Sequence, residues 1–130
     1  MGTWRLMGQY DAETKTYSAF AGTGLASPYT PDFSGTLKKL RAIVNSDAAT
    51  TLIEAVQIKL TCNTFRPNSM EIVAQGNGLQ TAPAMAQLPI DYDLGSGQPV
   101  QAGVPITMEG RNITADTPIG VNILLIGYFE

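Results

Sequence analysis

Val56-Gln57-Ile58-Lys59-Leu60-Thr61-Cys62-Asn63 alternates apolar and polar side chains without a break. Successive side chains on a strand point to opposite faces, so Val56, Ile58, Leu60 and Cys62 share one face and Gln57, Lys59, Thr61 and Asn63 the other. Helical spacing would scatter the same residues around a cylinder. The stretch therefore reads as a β-strand with one face on a core. Val104, Ile106 and Met108 repeat the pattern against Pro105, Thr107 and Glu109. Pro105 gives no ladder donor and suits an edge or a strand start. Ile119 to Phe129 differs, because its apolar residues fall on both faces. A strand of that kind is expected in the middle of a sheet, covered by the core on one side and by a partner or a terminus on the other.

Working outward, Thr3–Tyr10 and Thr14–Phe20 read as an N-terminal hairpin turning at Asp11-Ala12-Glu13, and the Gly- and Pro-rich run from Gly22 to Asp32 as a loop. Thr36 to Asn45 fits a helix through Leu37, Leu40 and Val44, or a strand through Ile43 and Val44 ending at Asn45-Ser46-Asp47. The dense β surroundings favour the strand. Ala48 to Ala55 is a lead-in to the Val56 strand. Arg66-Pro67-Asn68-Ser69 is a turn, Met70–Gln75 a strand, and Thr81–Pro89 an extended irregular segment. Leu88–Leu94 is expected at a sheet edge, with a turn at Gly95-Ser96-Gly97, a short strand at Pro99–Gln101, and further turns at Gly110-Arg111-Asn112 and Asp116-Thr117-Pro118. About eight short strands separated by turn signals, and no clear helix, predict an all-β antiparallel β-sandwich. Eight strands in two Greek keys would be a jelly roll. Strand order does not follow from the sequence. A single domain over 1–130 is expected, in which residues 1–35 form a hairpin or an arm that contacts neighbours.

Composition bounds the chemistry. The 130 residues include no histidine and one cysteine. Ser-His-Asp and Cys-His nucleophilic systems, histidine-ligated metals, thiolate zinc cages and iron–sulfur clusters are thereby excluded. Cys62 sits on the apolar face of its strand and reads as a buried free thiol. Asp91-Tyr92-Asp93 opens like a calcium loop, but Gly95 and Ala102 stand where such a loop needs oxygen ligands. Glu54, Glu71, Glu109 and Asp91 could supply paired carboxylates, and nothing singles out two of them. Gly22-x-Gly24 and Gly76-x-Gly78 lack the third glycine and the helix of a dinucleotide site. Asn112-Ile113-Thr114 is a glycosylation sequon that reads as an unmodified turn. No enzyme activity, cofactor or metal is expected. The net charge of −3 and eight scattered basic residues argue against direct nucleic-acid binding, with Lys38-Lys39-x-Arg41 the one basic cluster. No leader peptide is expected at Met1-Gly2-Thr3-Trp4, and no membrane insertion, since the longest apolar run is Ile123-Leu124-Leu125-Ile126. Charged residues make up only 15% of the chain, a composition suited to a surface covered in an assembly.

The second half resembles a known group in its layout. Gly78-Leu79-Gln80-Thr81-Ala82-Pro83 leads through Asp91-Tyr92-Asp93 to Pro99-Val100-x-x-Gly103-Val104-Pro105-Ile106. Glu109-Gly110-Arg111-Asn112-Ile113-Thr114-Ala115-Asp116-Thr117-Pro118 and a closing apolar strand follow. Over Thr36–Glu130 this resembles a single jelly-roll capsid protein of an icosahedral virus or phage. The resemblance implies a virion shell protein made in the host cytoplasm, with its own copies and other virion proteins as partners. Many such proteins carry a basic N-terminal arm, and Arg5 with Lys15 does not make one. A capsid role would therefore place the chain against a membrane or another shell layer, or on the outside as decoration.

The expected function is that of a non-enzymatic, self-assembling structural protein, a viral capsid or capsid-decorating subunit. Subunit contacts are expected at Trp4, Tyr10, Tyr29, Phe33 and Tyr128, because large rings are enriched in protein interfaces. The competing expectation is a carbohydrate- or receptor-binding β-sandwich module of a viral fibre or cell-surface appendage. It would need several coplanar rings exposed along a groove.

Overall fold

The computed structural model describes residues 2–12, 15–22, 25–46, 53–77, 90–113 and 121–130. Ten strands follow in order: β1 Thr3–Ala12, β2 Ser18–Ala19, β3 Ala21–Gly22, β4 Leu25–Ala26, β5 Gly35–Ser46, β6 Ile53–Thr61, β7 Ser69–Asn77, β8 Ile90–Val100, β9 Thr107–Asn112 and β10 Val121–Phe129. Eight of them form two four-stranded antiparallel sheets. Sheet A runs β1-β10-β5-β8 and sheet B runs β2-β9-β6-β7, while β3 and β4 pair as a small separate hairpin. There is no helix among the described residues.

The pairing has a simple logic. Leaving out the β3–β4 hairpin, the first strand pairs with the last (β1 with β10), the second with the seventh (β2 with β9), the third with the sixth (β5 with β8) and the fourth with the fifth (β6 with β7). One long antiparallel ribbon is thus rolled on itself. The contacts of β10 with β5 and of β9 with β6 close the roll into two layers. This is the jelly-roll order, and it makes β10 a central strand, as its apolar composition predicts.

The period-two reading places the core correctly. Val56, Ile58, Leu60 and Cys62 of the β6 region are buried, as are Ile106 and Met108. They meet Leu37, Leu40, Ala42 and Val44 from β5 and Ile123, Leu125 and Phe129 from β10, with Met7, Phe20 and Phe65 filling the ends. Thr36 to Asn45 is a strand, with Leu40, Ala42 and Val44 inward in alternation.

Several expectations are corrected. The N-terminal hairpin does not form: β1 pairs with β10 in sheet A, and Ser18–Ala19 pairs with β9 in sheet B. β1, ten residues long, pairs along its length with the nine-residue β10, which the two residues of β2 could not match. The loop from Gly22 to Asp32 holds β4, and Tyr29 bridges to Ile106. Gly95-Ser96-Gly97 does not reverse the chain. It bulges out of a continuous β8, so that Gln98 pairs with Leu37 while Asp93 pairs with Lys39. Gly97 has a φ of +88°, and a Cβ there would lie 2.7 Å from the Leu37 carbonyl oxygen, so only glycine fits. Pro99 and Val100 end that same strand. Gly110-Arg111-Asn112 continues β9 instead of turning, and Asn112 is fully buried, which removes the sequon asparagine from solvent. The lead-in around Ala48, the segment Thr81–Pro89 and the turns at Glu13 and Asp116-Thr117-Pro118 fall wholly or partly outside the described residues.

Candidate interaction surface

A sandwich has two outer faces, and registers fix what stands on each. On sheet A, one row across the four strands reads Trp4, Tyr128, Lys39, Asp93, and the next reads Leu6, Ile126, Arg41, Asp91. A third row holds Gln9, Leu124 and Ile43. β10 thus presents Leu124, Ile126 and Tyr128 outward and buries Ile123, Leu125 and Phe129 inward. With Trp4, Leu6 and Ile43 beside them, six apolar or aromatic side chains form one contiguous patch. Trp4 is 38% and Leu6 44% exposed. Cations from β5 reach over the patch. The Arg41 guanidinium lies 4.2 Å from the Trp4 ring centroid, and the Lys39 ammonium 5.7 Å from that of Tyr128. Arg41 also donates two hydrogen bonds to Asp91, at 2.7 and 2.9 Å, a planar fork on a carboxylate. That fork holds the Asp91 carboxyl below its ordinary pKa and lifts Arg41 further above its own.

Sheet B's outer face is built otherwise. Lys59 stands opposite Glu71 on β7 and Glu109 on β9. Arg111 donates through Nε to the Gln57 Oε1 at 2.9 Å, and Gln57 donates in turn to Glu71 at 2.6 Å. The Tyr17 ring is flanked by Arg111, 4.6 Å from its centroid, and by Lys59 at 5.5 Å. Its hydroxyl is buried beside the Glu71 carboxylate without a well-directed hydrogen bond. Burial first, and then that carboxylate, push the Tyr17 pKa up to about 12, against the pull of Arg111. Apart from the Tyr17 hydroxyl, Arg111, Gln57 and Glu71 satisfy one another across three strands. Val73, 45% exposed, is the large apolar side chain standing out from β7.

The rings singled out from sequence divide between these environments. Trp4 and Tyr128 meet on the outer face of sheet A, with centroids 5.0 Å apart and planes tilted by 52°. Tyr10 stacks on Phe20, Tyr29 stacks on Phe129, and Phe33 meets Phe129 edge-on, all three packing against the core cluster. Arg5 caps Phe33 at 4.3 Å. Burial lifts the pKa of Tyr29. The ring-only criterion missed Leu6, Ile43, Leu124 and Ile126, which complete the sheet A patch. The two-sided apolar pattern of the closing strand is the signal that finds Leu124 and Ile126; Leu6 and Ile43 join them through the registers of β1 and β5.

The acidic residues have structural work. Asp91 is held by Arg41, Asp93 accepts a hydrogen bond from the Gly95 N–H at 2.8 Å and so braces the bulge, and Glu71 accepts from Gln57. Tyr92, between the two aspartates, donates to the Val73 carbonyl and ties β8 to β7. Among the described residues no three acidic or cysteine side chains gather as a metal site. Cys62 is buried, with its Sγ 3.2 Å from the Thr64 Oγ1.

No protein-family model matches the chain, and no curated protein matches it. Among solved structures, the crystal structure of FLHE aligns over 99% of this chain and 94% of its own, with a TM-score of 0.44 and 10% identity. The virus-like particle of the giant freshwater prawn Macrobrachium rosenbergii extra small virus aligns over 98% and 79%, with a TM-score of 0.37 and 11% identity. Desmodium yellow mottle tymovirus aligns over 100% and 89%, with a TM-score of 0.34 and 11% identity. Structures similar to this chain thus include viral particle proteins, at a level of likeness that assigns neither family nor function.

Proposed function

We propose that this chain is a non-enzymatic structural protein that assembles with copies of itself, as a capsid or capsid-decorating subunit of a virion. The observation that carries the reading is the outer face of sheet A. An antiparallel sheet whose outer face meets water shows polar residues there. This one shows Trp4, Leu6, Ile43, Leu124, Ile126 and Tyr128 in one block. Trp4 and Leu6 of that block are exposed and the other four half-buried, and contiguous apolar surface open to water marks interaction sites. The charge-poor composition supports the same reading. The viral assignment draws on the layout of Thr36–Glu130 and on the jelly-roll order, an architecture that capsid proteins share with other families. Its location would be the virion, after synthesis in the host cytoplasm, and its partners its own copies and other virion proteins. Direct nucleic-acid binding is not part of the proposal, since Lys39 and Arg41 are engaged with Tyr128, Trp4 and Asp91. Neither is a cofactor.

A carbohydrate-binding platform would need flat, coplanar rings. The 52° tilt between Trp4 and Tyr128 and the inward packing of Tyr10, Tyr29 and Phe33 weigh against it. Negative-stain microscopy of the purified protein tests the proposal. Discrete oligomers or closed particles are expected. A field without particles, together with a scattering mass of 13.8 kDa at high concentration, would reject it.

A further inference from the structure

We infer that the Tyr92 hydroxyl is an edge guard: by holding the Val73 carbonyl it keeps β7 from pairing with an extended strand of another chain. The inference goes beyond the assembly reading and does not rest on it. The first observation is how the edges are protected. β1 and β8 are the edge strands of sheet A, β2 and β7 those of sheet B. An unpaired edge is a template for a further strand, and short length, bulges, prolines, lysines or a covering loop blunt it. β2 has two residues. β1 shifts register between Leu6 and Gly8. β8 carries Pro99 and the bulge at Gly95-Ser96-Gly97. The segment between β6 and β7 also seals the end of β8. There Thr64 donates to the Pro99 carbonyl at 2.7 Å, and the Gln98 side chain accepts from the Arg66 N–H at 2.7 Å.

β7 has none of these. It runs nine residues in unbroken register with β6, without proline or lysine. Its one charged side chain, Glu71, is drawn toward β6, where Gln57 donates to it, and Val73 is exposed. Met70 to Gln75 has the composition of a segment that stacks into cross-β fibrils, being rich in strand formers, low in charge and free of proline and glycine.

The second observation is parity. Antiparallel partners alternate between pairs that exchange hydrogen bonds and pairs that do not. The Cys62 N–H donates to the Asn68 carbonyl at 2.8 Å, so the bonds to β6 fall on the even-numbered residues of β7. The backbone groups of Glu71, Val73 and the other odd-numbered residues therefore point away from β6, and no described strand pairs with them.

The third observation is what meets that edge. Tyr92 packs its ring against the core from β8, and its hydroxyl crosses from sheet A to donate to the Val73 carbonyl. Val73 is the middle residue of β7. A strand laid along the whole edge would use that carbonyl as an acceptor. The hydroxyl leaves a short stretch on either side in place of one continuous template.

Hydrogen exchange in the parent protein tests the open edge. The Glu71 and Val73 amides should exchange several-fold faster than those of Ile72 and Ala74, which bond to β6. Tyr92→Phe keeps the ring and removes the guard. Thioflavin fluorescence is followed at the denaturant concentration that unfolds the same small fraction of each variant. Tyr92→Phe should form dye-positive fibrils several-fold faster than the parent, and several-fold faster than Ile123→Val, a buried truncation on β10 that lowers stability elsewhere. Adding Val73→Lys to Tyr92→Phe should restore the parent's rate. Glu71 and Val73 amides as protected as those of Ile72 and Ala74, a Tyr92→Phe rate no faster than that of Ile123→Val, or no rescue by Val73→Lys would each overturn the guard. Particle counts by microscopy read self-assembly separately from all three.

Discussion

The two outer faces of this sandwich belong to four-stranded antiparallel sheets over one core, and they solve the problem of facing outward in opposite ways. On sheet B, Arg111, Gln57 and Glu71 hand hydrogen bonds across three strands and Tyr17 lies under two cations. The network pairs its charged and amide groups internally and leaves the buried Tyr17 hydroxyl without a directed partner. On sheet A, β10 sends leucine, isoleucine and tyrosine outward, and its neighbours supply Trp4 and Leu6. Both faces lie over one core, so the apolar residues of sheet A's outer side are not needed to make the fold. The difference teaches that the sandwich is finished on one side and waiting on the other.

The largest effect separates fold from face within one strand. Leu125, fully buried, truncated to alanine should cost about 2–5 kcal/mol in chemical denaturation. The Ile126→Ala change beside it should cost less than half as much in dilute, dissociated protein. Equal losses would mean that the outer side of sheet A belongs to the core. Next comes the bulge that sets the β8 register and so the place of Asp93. Gly97→Ala should cost about 1–3 kcal/mol, because φ is +88° and the Leu37 carbonyl is in the way. Gly95→Ala, with φ +66° but open space around it, should cost less. On sheet B, Arg111→Ala should lower stability by on the order of 1–2 kcal/mol without changing the mass of the native particle.

A pH series reaches smaller effects on both faces. Tyr17 has its pKa raised in the fold, so it contributes stability fully present below pH about 10 that is lost as pH climbs through about 12. Tyrosinate absorbance should show Tyr17 ionising well after an ordinary tyrosine, and Tyr17→Phe should remove that late step. The smallest change belongs to the Arg41–Asp91 pair. Its carboxylate is depressed, so the contribution is present above the ordinary aspartate range and lost as pH falls through the folded value. Both groups are exposed, and Asp91→Asn should move the denaturation midpoint slightly at low salt and not at high salt.

Much of the architecture was readable because burial follows a period of two. Val56 through Cys62 and the two-sided apolar run ending at Phe129 place the core and the central strand without coordinates. Partner choice was not readable. Thr3–Tyr10 lies close in sequence to Ser18–Ala19, yet the two join different sheets, because long-range register is decided by which apolar faces can be jointly buried. Gly95-Ser96-Gly97 and Gly110-Arg111-Asn112 carry turn residues and sit inside strands, one as a bulge and one where Phe20 and Tyr10 crowd the backbone. For the surface, size of ring was a poor guide. Tyr10, Tyr29 and Phe33 turn inward, while Leu6, Ile43, Leu124 and Ile126 turn out. Whether a side chain faces outward depends on strand parity, which bulges such as the one between Leu6 and Gly8 reset.

Trp4 is the chain's one tryptophan, and it stands on the face in question. Its fluorescence measured across a protein concentration series, with acrylamide quenching at each point, reports directly on whether that face is covered. Coverage by a second copy predicts an emission that moves to shorter wavelength and a quenching constant that falls as concentration rises. An emission maximum and quenching constant that stay those of an exposed indole at every concentration would contradict it.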